Sequence, residues 1–198
     1  METSPAFEEF LNILGDRVEL KNWPNYKAGL DTIGNSNGTH SIYTKWRNVE
    51  VMYHVSTLLP FDPSDVQQLG RKRHIGNDIL VILFVDGPTS YLPDTVASRF
   101  NRASREVLKG CFLTKIKKTD VFAVVRPNPD NTYTLSLAVK DLIPAFGPEI
   151  DRKRYPRDKS FRDLLLAKCA SVLFDFYQFK TCASSDQRTE RCLPRARV

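Results

Sequence analysis

The chain is poor in the residues that would announce chemistry of its own. Cysteine occurs four times in 198 residues, at 111, 169, 182 and 192, with no CxxC spacing and no histidine cluster nearby. That pattern supports neither a zinc site nor a disulfide framework. Apolar runs do not exceed strand length, Ile79 to Val85 being typical, far short of the roughly 20 residues that cross a bilayer. The amino-terminal METSPAFEEF is acidic and lacks a hydrophobic segment, unlike a signal peptide. The motifs GxxxxGK[ST], GxGxxG after a strand and HExxH are absent, and the GxSxG match at Gly34 to Gly38 lies in a turn-rich loop and not on a strand-to-helix elbow, so no catalytic grammar of an independent enzyme is present. A reduced, cytoplasmic chain is expected.

What is present suffices for one folded domain. The hydrophobic fraction is 41% and the aromatic fraction 11%, enough for a single sizeable core at this length. The formal net charge is +6 and the pI about 9.2, a balance that favours an acidic partner without choosing among nucleic acid, membrane and protein. No nucleic-acid motif and no basic amphipathic helix accompanies the charge, so nucleic acid is not the expected partner.

Along the chain, Ser4 and Pro5 open a helix whose Phe7, Phe10, Leu11 and Leu14 share one face, with Gly15 expected as a left-handed stop. GLDTIGNSNGTH reads as loop, Asn37-Gly38 being its strongest turn signal and His40 its end. HSIYTKW and VEVMYHVSTLL follow as strands joined at Arg47-Asn48. His54 falls in the second of these, where a satisfied structural role is expected. Ser64 or Asp65 can cap a short helix carrying Val66 and Leu69. ILVILFV then has the near-continuous apolar character of a strand covered on both faces. VFAVVRP and TYTLSLAVK form a hairpin about a Pro-Asp-Asn turn. A last helix is predicted over 160–179, capped by Ser160 with Asp163. This order gives the fold class: α/β, a single domain with a central mixed β-sheet flanked by helices. The polar, basic tail over 182–198 is expected to be disordered or truncated.

One stretch does not fit a merely structural reading. RKRHIGND, from Arg71 to Asp78, sets a cationic run against the start of the most apolar strand. Alone, such a run is a solvated face. At the joint between a helix and a core strand, however, a displayed side chain is held by the packing behind it. Asn77 offers an acceptor oxygen and two donor hydrogens without charge. Beside a triphosphate it could accept from an attacking water and donate to a phosphoryl oxygen, where an aspartate would only accept and would repel the phosphates. Lys72 and Arg73 could meet an acidic partner surface.

The run EVMYHVSTLLPF together with QQL, RKRHIGND and ILVILF resembles the core signature of the Rap GTPase-activating proteins, the Rap/Ran-GAP domain family. Further matches are GLDT at 29–32, HSIYT at 40–44, LPDTVASRF at 92–100, VFAVVR at 121–126, PAFGP at 144–148 and FRDLLLAK at 161–168. The resemblance implies a Rap-GAP catalytic domain over 1–181. It implies a GTPase activator that supplies a residue in trans rather than turning over a substrate of its own. Asn77 is then the asparagine thumb, carried at the end of a helix, with Lys72, Arg73 and His74 binding the GTPase or supporting the thumb. No cofactor is implied for this chain, since GTP and Mg²⁺ are bound by the partner GTPase. A Rap-type partner is implied, Ral- and Rheb-type relatives sharing the same joint, and any peripheral membrane association would come through that partner. Residues 102–120 depart from the family pattern, which passes almost directly from SRFN to VFAVVR. They are set apart as an atypical basic insertion, either a loop or an unremoved intron.

Overall fold

The computed structural model describes residues 3–66, 68–75, 78–87, 109–115, 121–139 and 146–184, with only the backbone described along parts of the elements. Helix α1 (Pro5–Leu14) forms as its sequence dictates. The Ser4 hydroxyl accepts from the Phe7 N–H, proline occupies the first turn, and Phe7, Phe10, Leu11 and Leu14 are buried. Its end differs from the expectation. Gly15 has φ 176°, extended backbone open to any residue, so no left-handed stop is made. Glycine is needed there because a Cβ would lie 2.3 Å from the Tyr43 carbonyl oxygen.

Eight described strands form one sheet: β1 (Asp16–Glu19), β2 (His40–Trp46), β3 (Val49–Val55), β4 (Asp78–Phe84), β5 (Lys109–Lys115), β6 (Val121–Pro127), β7 (Thr132–Val139) and β8 (Tyr155–Pro156). Their spatial order is β1-β2-β3-β5-β4-β6-β7-β8. Only the β4–β6 pairing is parallel, with Leu80 opposite Val121 and Phe84 opposite Val125, so the sheet is mixed as expected. Leu80 to Val85 are all buried, as their unbroken apolar run requires. Arg47, at φ 53°, makes the β2–β3 turn with its guanidinium over the Trp46 ring at 4.4 Å. His40 is the first residue of β2, paired with Glu19, rather than part of the preceding loop.

The segment set apart in the sequence contains a strand. Lys109–Lys115 (β5) lies between β3 and β4, Tyr53 facing Leu113 on one side and Leu80 facing Leu113 on the other. The expectation of a basic loop is therefore corrected for these seven residues, whose backbone groups complete the ladder that β3 and β4 leave open. The rest of 102–120 lies outside the described residues.

Helix α3 (Lys159–Ser184) runs past the predicted end at 179. Its cap is Asp158, not Ser160 with Asp163. The Asp158 carboxylate accepts from the backbone N–H and hydroxyl of Ser160 and from the N–H of Phe161, and these bonds hold it below the usual carboxylate range. Asp163 instead accepts from the neighbouring Arg162 guanidinium at 2.9 Å. An aspartate before the first turn satisfies more orphan donors than a hydroxyl inside it. Residues 185–198, and with them most of the predicted tail, lie outside the described residues.

Alternation along the strands sends two sets of side chains to opposite faces. Ile42, Val51, Tyr53, Val55, Leu80, Ile82 and Phe84 join α1 and α3 in one core. There Phe10 stacks on Phe84 at 5.0 Å, and Phe161 of α3 lies 5.0 Å from Tyr133. Cys169 is buried in the same core and its thiol is pushed up to about 12 by desolvation, which makes it an inert filler. On the other face Met52 packs with Leu20, Ala28, Leu30 and Leu59, residues of the loops that flank β2 and β3. No helix of the described residues is long and apolar enough to cross a membrane.

The close approach at Gly15 gives a direct test. Gly15→Ala must push α1 away from the β2 backbone, and we expect a loss of about 1–3 kcal/mol, read as a lower urea midpoint with an unchanged m-value.

Candidate functional site

Helix α2 (Leu69–Ile75) leads directly toward the buried strand β4, which begins at Asp78. Gln67, Gly76 and Asn77 lie outside the described residues, so the structure describes the two supports of Asn77 and not the residue itself. The helix starts later than the sequence implied. Val66 precedes it and is 95% exposed instead of packing on its apolar face. Asp65 supports its first turn from outside, its carboxylate accepting from the Leu69 N–H at 2.6 Å.

What fixes α2 is polar side chains reaching backbone. Arg71 donates from Nε to the Pro60 carbonyl at 2.8 Å and from its terminal nitrogen to the Leu59 carbonyl at 2.7 Å. Its guanidinium also lies 5.4 Å from the Phe61 ring centre. A planar fork with several donors suits two adjacent carbonyls in a way that an ammonium does not. This member of the cationic run is thus a fastening of the helix, not a solvated charge. Arg73 is exposed. Lys72 has its backbone in α2 and its side chain outside the described residues.

His74 turns inward. Its Nε2 lies 2.9 Å from Nδ2 of Asn37, and its ring centre is 5.0 Å from that of His54. His54 on β3 is buried and its Nε2 meets the Ala28 carbonyl at 3.0 Å, the satisfied structural role expected of it. The two imidazoles therefore hold opposite ends of one loop, Ala28 to Asn37. That loop is stiff in its own right. The Asp31 carboxylate accepts from the N–H groups of Ile33, Gly34 and Ser36 and from the Ser36 hydroxyl, which holds its carboxyl well below the usual range. The Asp31 N–H in turn donates to Oδ1 of Asn37 at 2.7 Å. Gly38 has φ 92°, and a Cβ there would lie 2.4 Å from the Leu58 carbonyl oxygen, so the loop closes tightly onto the segment that Arg71 also grips.

Between these parts lies a cleft of about 280 Å³ lined by Ser36, Asn37, Pro60, Asp62, Arg71 and His74 among others. The sequence reading grouped Lys72, Arg73 and His74 with Asn77. The structure brings His74 to the supporting loop and leaves Arg73 on the surface. Arg71, Asp31 and Asn37 were not foreseen in these roles. Asn37-Gly38 was visible as a turn, but nothing in the pattern said where its amide would point. Among the described residues no group of three His, Cys, Asp or Glu could hold a metal ion.

If Arg71 acts as a fastening, Arg71→Ala should destabilise the domain by about 1–3 kcal/mol by stranding two carbonyls. Arg71→Lys should recover only part of this in a denaturant titration, because one amine cannot reproduce the fork.

The sequence model of the Rap/ran-GAP family matches residues 1–191. The chain is 42% identical over 170 residues to signal-induced proliferation-associated 1-like protein 1 of Mus musculus, covering 83% of this chain and 8% of that protein. It is 37% identical over 191 residues to GTPase-activating Rap/Ran-GAP domain-like protein 3 of Homo sapiens, covering 94% of this chain and 17% of that protein. It thus spans under a fifth of the length of these curated relatives. Among solved structures, that of the TSC2 GAP domain superposes with a TM-score of 0.67 at 26% identity, over 90% of this chain and 87% of the other. A mixed sheet with the α2–β4 joint at its centre, and a family match over nearly all of its length, identify the chain as a member of the Rap/ran-GAP family.

Proposed function

We propose that this domain is a GTPase activator that stimulates GTP hydrolysis by a Rap-type small GTPase, with the Asn77 carboxamide as a thumb that orients the attacking water. The observation that carries this reading is the bracing of the α2–β4 joint, in a chain that belongs to the Rap/ran-GAP family. Immediately before Asn77 the helix is fastened through Arg71 and His74. Immediately after it, β4 enters the sheet with Leu80 to Val85 buried. Supports of this kind on either side are what pre-organised positioning of a side chain requires.

Magnitude divides the roles. An activator of small GTPases supplies a factor of roughly 10⁵, or about 7 kcal/mol. Charge steering alters encounter rate and salt dependence and leaves the chemical barrier alone. Positioning a water and a phosphoryl oxygen in a dried interface can lower the barrier by several kcal/mol. Asn77 is therefore assigned to the chemistry, Lys72 and the exposed Arg73 to docking, and His74 to support of the thumb. GTP and Mg²⁺ belong to the GTPase, and this chain takes no cofactor in the scheme. Ral- and Rheb-type GTPases are the alternative substrates. The alternative function is a catalytically inactive module that binds a small GTPase without stimulating it, as a site deformed by residues 102–120 would be. The pairing of 109–115 with both β3 and β4 counts against such a deformation at those seven residues.

Single-turnover hydrolysis by GTP-loaded Rap, Ral and Rheb proteins tests the reading. Asn77→Ala should lower the maximal stimulated rate by about 10²–10³-fold, the usual cost of one transition-state contact, with little change in the activator concentration that half-saturates. A rate that survives the substitution rules the thumb out. Lys72→Ala and Arg73→Ala should instead raise the half-saturating concentration and flatten its salt dependence. An affinity indifferent to salt would remove the docking role.

A further inference from the structure

Asn37 lies outside the cationic run and 40 positions before Asn77 in sequence, yet its bonding is fully determined. A backbone N–H can only donate, so the Asp31 N–H fixes the Asn37 oxygen as the acceptor at 2.7 Å. The other end of the carboxamide is then an NH₂, which can only donate. It stands 2.9 Å from Nε2 of His74. That nitrogen must carry its lone pair, and the proton of the neutral ring must sit on Nδ1. The neighbouring ring is set the opposite way: His54 Nε2 faces the Ala28 carbonyl at 3.0 Å, which accepts only, so its proton is on Nε2. Two imidazoles 5.0 Å apart are thus locked in opposite tautomers by one loop.

We infer that Asn37 is a positioning residue for the proposed activation, acting by holding His74 neutral and in its Nδ1–H form so that the end of α2 stays seated behind the thumb. The inference rests on the activator reading for its functional part and on bond chemistry for its structural part. Protonation of His74 would set an N–H against the Asn37 NH₂ and a cation against His54, and the seat would open. Among the described residues, the charged and titratable groups around His74 are His54 from β3, Asp62 and Asp65 across the cleft, and Arg71 and Arg73 on its own helix, which also carries the backbone of Lys72. Of the described carboxylates nearby, Asp31 accepts from its loop, Asp62 from Ser64 and Asp65 from Leu69. Histidine is the side chain whose charge ordinarily changes on mild acidification, so pH is the variable that tests the seat.

Two measurements test this on the intact chain. Nitrogen-15 spectra of the imidazoles should show His74 with Nε2 unprotonated and Nδ1 protonated at neutral pH, and His54 the reverse. In Asn37→Asp the acceptor now facing His74 should move its proton to Nε2. A wild-type His74 protonated on Nε2, or a tautomer unmoved by Asn37→Asp, overturns the inference. In single-turnover assays with GTP-loaded Rap, corrected for the intrinsic rate at each pH, wild-type stimulation should fall on acidification with the midpoint of the His74 titration. Asn37→Asp should lower the maximal rate about tenfold at neutral pH and regain it as pH falls, while Asn37→Ala is lowered without recovery and half-saturation is unchanged in both. Identical pH profiles for wild type and Asn37→Asp would overturn the positioning role. A wild-type chain that stimulates no GTPase defeats the activator reading alone, and the tautomer spectra still decide whether Asn37 sets the form of His74.

Discussion

The pairing of β4 on both of its edges is the constraint from which the site takes its rigidity. One edge is bonded to β5 and the other to β6, and both faces are packed from Leu80 to Val85. Phe84 anchors the far end among Phe7, Phe10 and Tyr133. A strand so enclosed has no low-energy displacement available. Helix α2, which precedes it in the chain, needs only a few further bonds to lose its remaining freedom.

Those bonds come from polar residues that use backbone groups as partners. Arg71 on two carbonyls, His54 on the Ala28 carbonyl and Asp31 on a ring of N–H groups satisfy the loops that would otherwise carry orphaned polar atoms. The same bonds define where α2 stands. Stability of the loops and placement of the helix are one property here, which is why a cationic run contains members of such different kinds.

Much of the frame was legible because it rests on periodicity. α1, β2, β3, β4, β6 and β7 each show the apolar spacing that their burial demands. β1 was not, since DRVE is polar and largely exposed, and neither was the two-residue β8. β5 was hidden among lysines in a segment that did not fit the family pattern. The site was legible in part. Its joint stood out through RKRHIGND, but charge in a sequence does not say which side chains turn inward. Arg71 and His74 went inward and Arg73 did not, as the partners they found dictate. Asp31 acts through several backbone N–H groups and Asn37 through one backbone N–H and the His74 ring, contacts that leave no periodic trace, and Gly15 served a close approach where a left-handed turn had been expected.

The late arrival of β5 carries a consequence for how the molecule is made. β3 and β4 follow one another in the chain but do not touch as neighbours; the piece that joins them is synthesised more than twenty positions after β4 ends. Until it emerges from the ribosome, a nascent chain carries two raw hydrophobic strand borders, open to any other extended peptide. β5 closes the gap between β3 and β4 from the interior of the sheet, and β6 and β7, made after it, then cover the far edge of β4 and extend the sheet outward.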